Sequence, residues 1–447
     1  MKLSLFFVPL LSLFSAMEIQ AQSVPVSPEV ISFTAKADNM YYTPARRELY
    51  YMIDLKAQQA PVSANRTPLN LSLVLDRSGS MSGDKISYAR QAANFLINNL
   101  EPTDNLSLVI YDDKVDVLSA SAKVSNKAAL QNLVKTIDDR GSTNLSGGML
   151  EGYAQAKTTY DPKMVNRVLL LSDGLANVGI TENDKIMQIA KQKTREEGIS
   201  VSTFGIGADF NELLMTGIAE NANGNYYFID SPDKIPAIFA QELKGLLSVV
   251  GQNLKLKVTF PQELRLEKVF GFPYQIQNNE VTLDLKDIFS AEQKTILFKF
   301  ATPQAATNTL KIQATLTFDN ASNYQRETMT REVVIFPTSD KFMYEANQNK
   351  DVLQNVVLME NNERMEEIAK QIDKGEYEEA RKELQGLKTQ FESQTKELPN
   401  NADLSKQKQL IMDYENQMKG AESMSDMDKK VMQKTMRSTN YSIRKKK

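Results

Sequence analysis

The chain has 447 residues with a formal net charge of −3, 41% hydrophobic and 24% charged. That is an ordinary balance for a globular protein of two or three domains, with no overall electrostatic footprint for nucleic acid. It contains neither cysteine nor histidine, which removes disulfides, thiolate nucleophiles, zinc–thiolate sites, the Ser-His-Asp triad and imidazole metal sites. Any metal must then be held by oxygen, which points to Mg²⁺, Ca²⁺ or Mn²⁺.

Residues 1–21 read as a signal peptide. Lys2 gives a positive start, Leu3 to Phe14 is almost wholly apolar, and Ala21 offers a small residue for cleavage. The apolar run is shorter than the roughly 20 residues of a membrane-spanning helix, and no other segment combines that length and apolarity. The expectation is an exported protein, periplasmic, cell-surface or secreted, with no transmembrane segment in the mature chain.

Residues 22–68 hold a proline-bearing leader and two strand patterns, Val30 to Ala35 and Leu49 to Leu55, joined by turn-rich sequence around Pro44. A polar linker from Gln58 to Pro68 follows. An isolated hairpin is marginal in water, so these strands are expected to pair with others later in the chain.

In residues 69–249 short apolar runs alternate with helical patterns. Strands are expected at Leu71 to Leu75, Leu106 to Tyr111, Arg167 to Leu171, Ile199 to Phe204 and Asn225 to Ile229, with an antiparallel edge strand at Lys114 to Leu118. Ile86, Ala89, Ala93, Leu96, Ile97 and Leu100 recur at helical spacing, and Thr181 with Asp184 resembles a capping pair opening another helix. The alternation predicts an α/β fold, a doubly wound, mainly parallel sheet with helices on both faces.

From 250 to 337 the helical period disappears and five segments alternate as half-buried antiparallel strands, predicting an all-β sandwich. The strands before the α/β unit are its natural partners, which would make that unit an insertion into the sandwich. Residues 338–420 are polar and helical. Ile368, Ile372, Tyr377, Ala380, Leu384, Leu387 and Phe391 form one apolar stripe, with Gly375 as the turn of a helical hairpin. Residues 421–447 are Met-rich and basic and read as a disordered tail.

The chemistry concentrates at three loops. Asp76 ends the first α/β strand and is followed by Ser78 and Ser80; Thr143 lies in a loop before a helix; Asp173 ends another strand. Strand ends of a parallel sheet gather on one edge, where open α/β sheets place their ligand sites. Two bare carboxylates a few ångström apart would repel by several kcal/mol at an effective dielectric of about 20, a cost that a divalent cation removes. The hydroxyls of Ser78, Ser80 and Thr143 complete an oxygen shell suited to a hard cation. Alone, the first turn could be no more than a helix N-cap. Asp112 and Asp113 read as solvated loop acids, and Arg77 as solvent-facing or ligand-adjacent.

The order Asp76-x-Ser78-x-Ser80, Thr143, Asp173 resembles the von Willebrand factor type A (VWA) domain and its metal-ion-dependent adhesion site. The resemblance implies that Ser78 and Ser80 ligate the metal directly and that Asp76, Asp173 and Thr143 join directly or through water. It also implies Mg²⁺ as the usual occupant, with one open position filled by an acidic residue of a partner protein. More loosely, the exported layout is similar to bacterial VWA proteins likened to calcium-activated chloride channel regulators and inter-alpha-trypsin inhibitor heavy chains. The function expected is a metal-dependent protein-binding module for adhesion or assembly rather than an enzyme. The alternatives are a metal-assisted hydrolase or phosphatase, and a structural envelope assembly factor in which the metal only stabilises the fold. Against catalysis, the sequence offers no histidine, no P-loop lysine motif and no Asp-x-Asp pair beside the site.

Overall fold

The structure is a computed structural model, described for residues 29–59, 66–399, 401–420 and 425–444. The expected signal peptide lies outside the described residues. The chain begins with β1 (Ile31–Ala37), β2 (Tyr41–Tyr42) and β3 (Glu48–Ala57). An α/β unit follows: β4 (Leu69–Asp76), α1 (Asp84–Asn99), β5 (Asn105–Tyr111), β6 (Val115–Lys123), α2 (Lys127–Lys135), α3 (Leu145–Thr158) and β7 (Val165–Ser172). It continues through α4 (Asn183–Glu197), β8 (Ser200–Ile206), α5 (Glu212–Asn221), β9 (Tyr226–Ile229) and α6 (Ile235–Leu246).

The six strands run β6-β5-β4-β7-β8-β9, all parallel except β6, which pairs antiparallel with β5 at the edge. Every residue of β4, β5, β7 and β8 is buried, as expected of strands covered on both faces. Side-chain alternation divides them. Leu71, Leu73 and Leu75 face α1 and α6, whereas Val74 faces α3. α3 can come close to the sheet because Gly152 has no side chain: a Cβ there would stand 2.6 Å from Val74 Cγ2. One local expectation fails. α4 opens at Asn183 with Glu182 at its N-cap and no side-chain capping bond, while Thr181 is exposed.

β10 (Val249–Thr259), β11 (Arg265–Val269), β12 (Gln275–Gln277), β13 (Glu280–Phe289), β14 (Gln293–Ala301), β15 (Leu310–Asn320) and β16 (Arg326–Pro337) complete two antiparallel-rich sheets. One is ordered β1-β3-β14-β11 and the other β12-β13-β10-β15-β16-β2. The early strand β3 sits between β1 and β14, with Ile53 opposite Ile296 and Tyr51 opposite Phe298. Phe33, Leu55, Leu256, Phe298 and Phe318 belong to the single apolar core shared by these sheets.

The chain ends in α7 (Lys341–Ala346), α8 (Lys350–Asp373), α9 (Tyr377–Thr395), α10 (Ala402–Gly420) and α11 (Asp426–Arg444). α8 and α9 form the hairpin, turning at Gly375 with φ +80°. α10 and α11 enlarge it into a bundle with one apolar core that includes Leu384, Phe391, Tyr414 and Met436. The start of α8 also covers the sandwich, where Val352, Val356 and Met359 meet Tyr50, Met52 and Leu297.

The expectation of a disordered tail is corrected for residues 426–444, which are helical and dock on the α/β unit. Its cations find partners there and on α8. Lys434 donates to the Phe210 carbonyl at 2.7 Å and lies over the Phe210 ring. Arg437 pairs with Glu212 and Glu366 at 3.8 and 3.5 Å. Tyr441 meets Tyr226 edge-on, and its hydroxyl accepts from the Tyr226 amide.

Candidate metal centre

β4 and β7 are adjacent, with Leu75 in register with Leu171, so both chains leave the sheet at the same edge. Asp76 ends β4 fully buried, and Asp173 lies just past β7, also buried. Asp76 Oδ1 accepts from the Ser78 amide at 2.8 Å, and Oδ2 accepts from the Ser172 hydroxyl at 2.7 Å. Burial pushes the Asp76 carboxyl up to about 6; the Ser172 and Ser78 hydrogen bonds oppose this, and the Asp173 charge adds to it.

From Asp76 the polar atoms form a chain. Ser78 Oγ lies 3.1 Å from Ser80 Oγ, and Ser80 Oγ donates to Asp173 Oδ1 at 2.7 Å. The other Asp173 oxygen accepts from the Lys85 ammonium at 2.5 Å, and Lys85 also donates to the Ser80 carbonyl at 3.1 Å. Thr143 is buried and fixed through its backbone: its amide donates to Asn177 Oδ1 at 2.8 Å, and its carbonyl accepts from the amides of Asn177 and Val178. Gly174 marks where the loops converge, since a Cβ there would lie 3.2 Å from Thr143 Oγ1 and 3.5 Å from Ser80 Oγ. Glycine therefore keeps open a space bordered by hydroxyls.

The five residues expected from sequence thus meet at one edge, four of them in one hydrogen-bonded chain and Thr143 beside it. The donors are all oxygen, two carboxylates and three hydroxyls, which suits a hard divalent cation. The Lys85 ammonium neutralises Asp173. Sequence reading missed Lys85; its signal was a cation at the first turn of α1, five residues past Ser80.

A second cluster braces the loops and corrects two expectations. Asp112 is fully buried, not solvated, and Arg77 is buried rather than solvent-facing. Asp112 Oδ2 accepts from Arg140 Nε at 2.8 Å and pairs with Arg77 at 2.8 Å, while Oδ1 accepts from the Lys114 amide at 2.7 Å. Burial raises the Asp112 carboxyl, but Arg140, the Lys114 amide and Arg77 outweigh it and hold the group below its ordinary value. Backbone bonds complete the brace: Arg140 N to Arg77 O at 2.7 Å, Gly79 N to Gly141 O at 3.0 Å, and Asn144 N to Asp112 O at 2.7 Å. Asp113 is exposed, as expected. These bonds lock three loops together.

Comparison with known proteins agrees with the fold. The family model of the von Willebrand factor type A domain matches residues 70–241. Over 253 residues the chain is 30% identical to the uncharacterized protein YfbK of Escherichia coli (strain K12), covering 55% of this chain and 43% of that one. Human inter-alpha-trypsin inhibitor heavy chain H1 is 26% identical over 215 residues, 46% of this chain and 23% of its own. The match thus spans less than half the length of either relative. Among solved structures, a von Willebrand factor type A protein from Catenulispora acidiphila superposes with a TM-score of 0.70 over 85% of this chain and 89% of that one; at 15% identity this likeness speaks to the fold alone. The chain carries a von Willebrand factor type A domain.

Proposed function

We propose that the loop edge of the VWA domain binds a divalent cation, with Mg²⁺ ahead of Ca²⁺ or Mn²⁺, and that a partner protein docks there through an acidic side chain. The observation that carries this is the chain of Ser78, Ser80 and Asp173 oxygens, with Thr143 Oγ1 bordering Gly174 together with Ser80 Oγ. Bound there, the cation supplies a coordination position open to a carboxylate.

Ser78, Ser80 and Asp173 would hold the ion, with Thr143 beside them. Asp76 has both oxygens engaged by Ser78 and Ser172, so it orients the loop and adds charge from just behind. The Lys85 ammonium already holds one Asp173 oxygen, so an ion bound by Asp173 would compete with it for that carboxylate. Leu175, 56% exposed beside Gly174, offers the partner an apolar contact next to the charged one. The family is commonly one of protein binding, and the groups gathered at this edge are ligand-type hydroxyls and paired carboxylates. We therefore read a docking site and not a catalytic centre.

Capture of partners from the native envelope by the full chain tests this, comparing Mg²⁺, EDTA and Asp76→Ala. A partner retained in Mg²⁺ and lost in both other conditions is expected. Retention in all three removes the metal edge as the interface. Export, inferred from residues 1–21, is checked by fractionating cells into cytoplasm, periplasm, surface and medium.

A further inference from the structure

A groove of about 240 Å³ lies where α4 of the VWA domain meets β10 and β13 of the sandwich. Although the whole chain carries a net −3, four cations line this groove, Lys191, Arg195, Lys255 and Lys286, against one acid, Asp284. Lys191 and Arg195 stand one helical turn apart on α4. Across the sheet Lys255 pairs in register with Asp284, and Lys286 with Leu254. Among the described residues, none of the four side chains forms a hydrogen bond or ion pair. Lys286 contributes only a long-range field at Asp287, where the charges of Arg167 and Lys294 weigh more.

The backbone adds an independent sign. Of the six non-glycine residues at positive φ among the described residues, two line this groove, Asn223 at +53° and Lys286 at +59°. A left-handed lysine costs about 1–2 kcal/mol, and such strain persists where the surroundings impose it. Here a register shift between β10 and β13 around Leu254 imposes it, and such bulges re-aim side chains. The walls are tied by Asn223 Nδ2, which donates to the Asp284 carbonyl at 3.1 Å, so the groove is preformed.

We propose that this groove binds a phosphate or sulfate group. Arg195 offers a planar fork matched to such an oxyanion, and the three lysines supply point charges around it. Tyr274, 38% exposed at the rim, offers an aromatic face to whatever carries the anion. The volume suits a ligand smaller than drug-sized. The site is separate from the metal edge and is tested with metal withheld.

The test is calorimetric titration of the full chain in EDTA, at matched ionic strength, with inorganic sulfate, inorganic phosphate and glucose 6-phosphate. Saturable binding of at least one is expected, weakened about tenfold or more by Arg195→Gln and by Lys286→Asn. Asparagine tolerates positive φ, so the second variant removes charge while keeping the bulge. Lys257→Gln, which loses an ammonium paired with Glu280 outside the groove, should bind as wild type. Tighter binding of glucose 6-phosphate than of inorganic phosphate supports a sugar-borne ester, and the reverse order supports the free ion. No saturable binding with any of the three, or undiminished binding in both groove variants, overturns the proposal.

Discussion

At the carboxyl edge of the VWA sheet the charged groups are buried and already paired; in the groove beside α4 the cations are exposed or half-buried and unpaired. Asp76, Asp112 and Asp173 have almost no exposed surface, and each has its oxygens engaged by amides, hydroxyls or cations. Burying a bare carboxylate is so costly that those partners have to form with the fold itself. Lys191, Arg195 and Lys255 pay no such penalty, so only the backbone, through helical spacing and a bulge, sets where they stand. Geometry at the edge is therefore a folding property, whereas the groove has its position fixed and its charges free.

The sharpest way to break this contrast is at the metal edge. Mg²⁺ should raise the melting temperature of the wild type and leave Asp173→Ala unmoved, with apparent affinity reduced on the order of 100-fold. An equal Mg²⁺ shift in the variant would place the ion elsewhere. Next in size is Asp112→Ala, which removes the buried partner of Arg77, leaves it the half-exposed Asp116 carboxylate, and should cost about 2 kcal/mol in denaturant unfolding. A loss near zero would mean that the loops hold without that brace.

A third charged region lies between these extremes. Burial pushes Glu212 up to about 7, against the opposing pull of Lys434, Arg437 and the Tyr226 hydroxyl. A carboxyl raised in the folded state binds more protons folded than unfolded, so its contribution to stability declines as pH climbs from its ordinary 4.5 towards 7. Glu212→Gln should flatten that decline, by on the order of 2 kcal/mol, in unfolding midpoints measured at pH 5 and 7. An unchanged slope would show that α11 docks without sensing this group. The smallest effect belongs to the groove: Arg195→Gln should change unfolding free energy by no more than about 0.5 kcal/mol while altering anion binding.

Legibility followed the same division. The α/β strands were readable because each is a local apolar run, and the metal-edge residues because Asp76, Ser78, Ser80, Thr143 and Asp173 sit at or beside strand ends, where a parallel sheet must bring them together. Arg77, Asp112 and Arg140 were not readable as a cluster, since three loops have to fold before their charges meet, and paired acids in a loop look solvated in one dimension. Lys85 was missed because nothing in a helix's first turn distinguishes a surface lysine from one aimed at a carboxylate 88 residues away. α11 was misread because polar, basic sequence carries the compositional mark of disorder. What folds it is supplied from outside: Glu212, Glu366 and the faces of Phe210 and Tyr226.

The insertion topology has a mechanical side. The chain leaves the sandwich after β3 and re-enters it at β10, so both ends of the VWA domain are moored in the same body. β3 is flanked by β1 and β14, and β10 by β13 and β15, in two different sheets. A tug at the metal edge is therefore shared by two cables, each seated inside a sheet and not along its rim. Neither can be unzipped one hydrogen bond at a time, because the rungs on both sides must yield together.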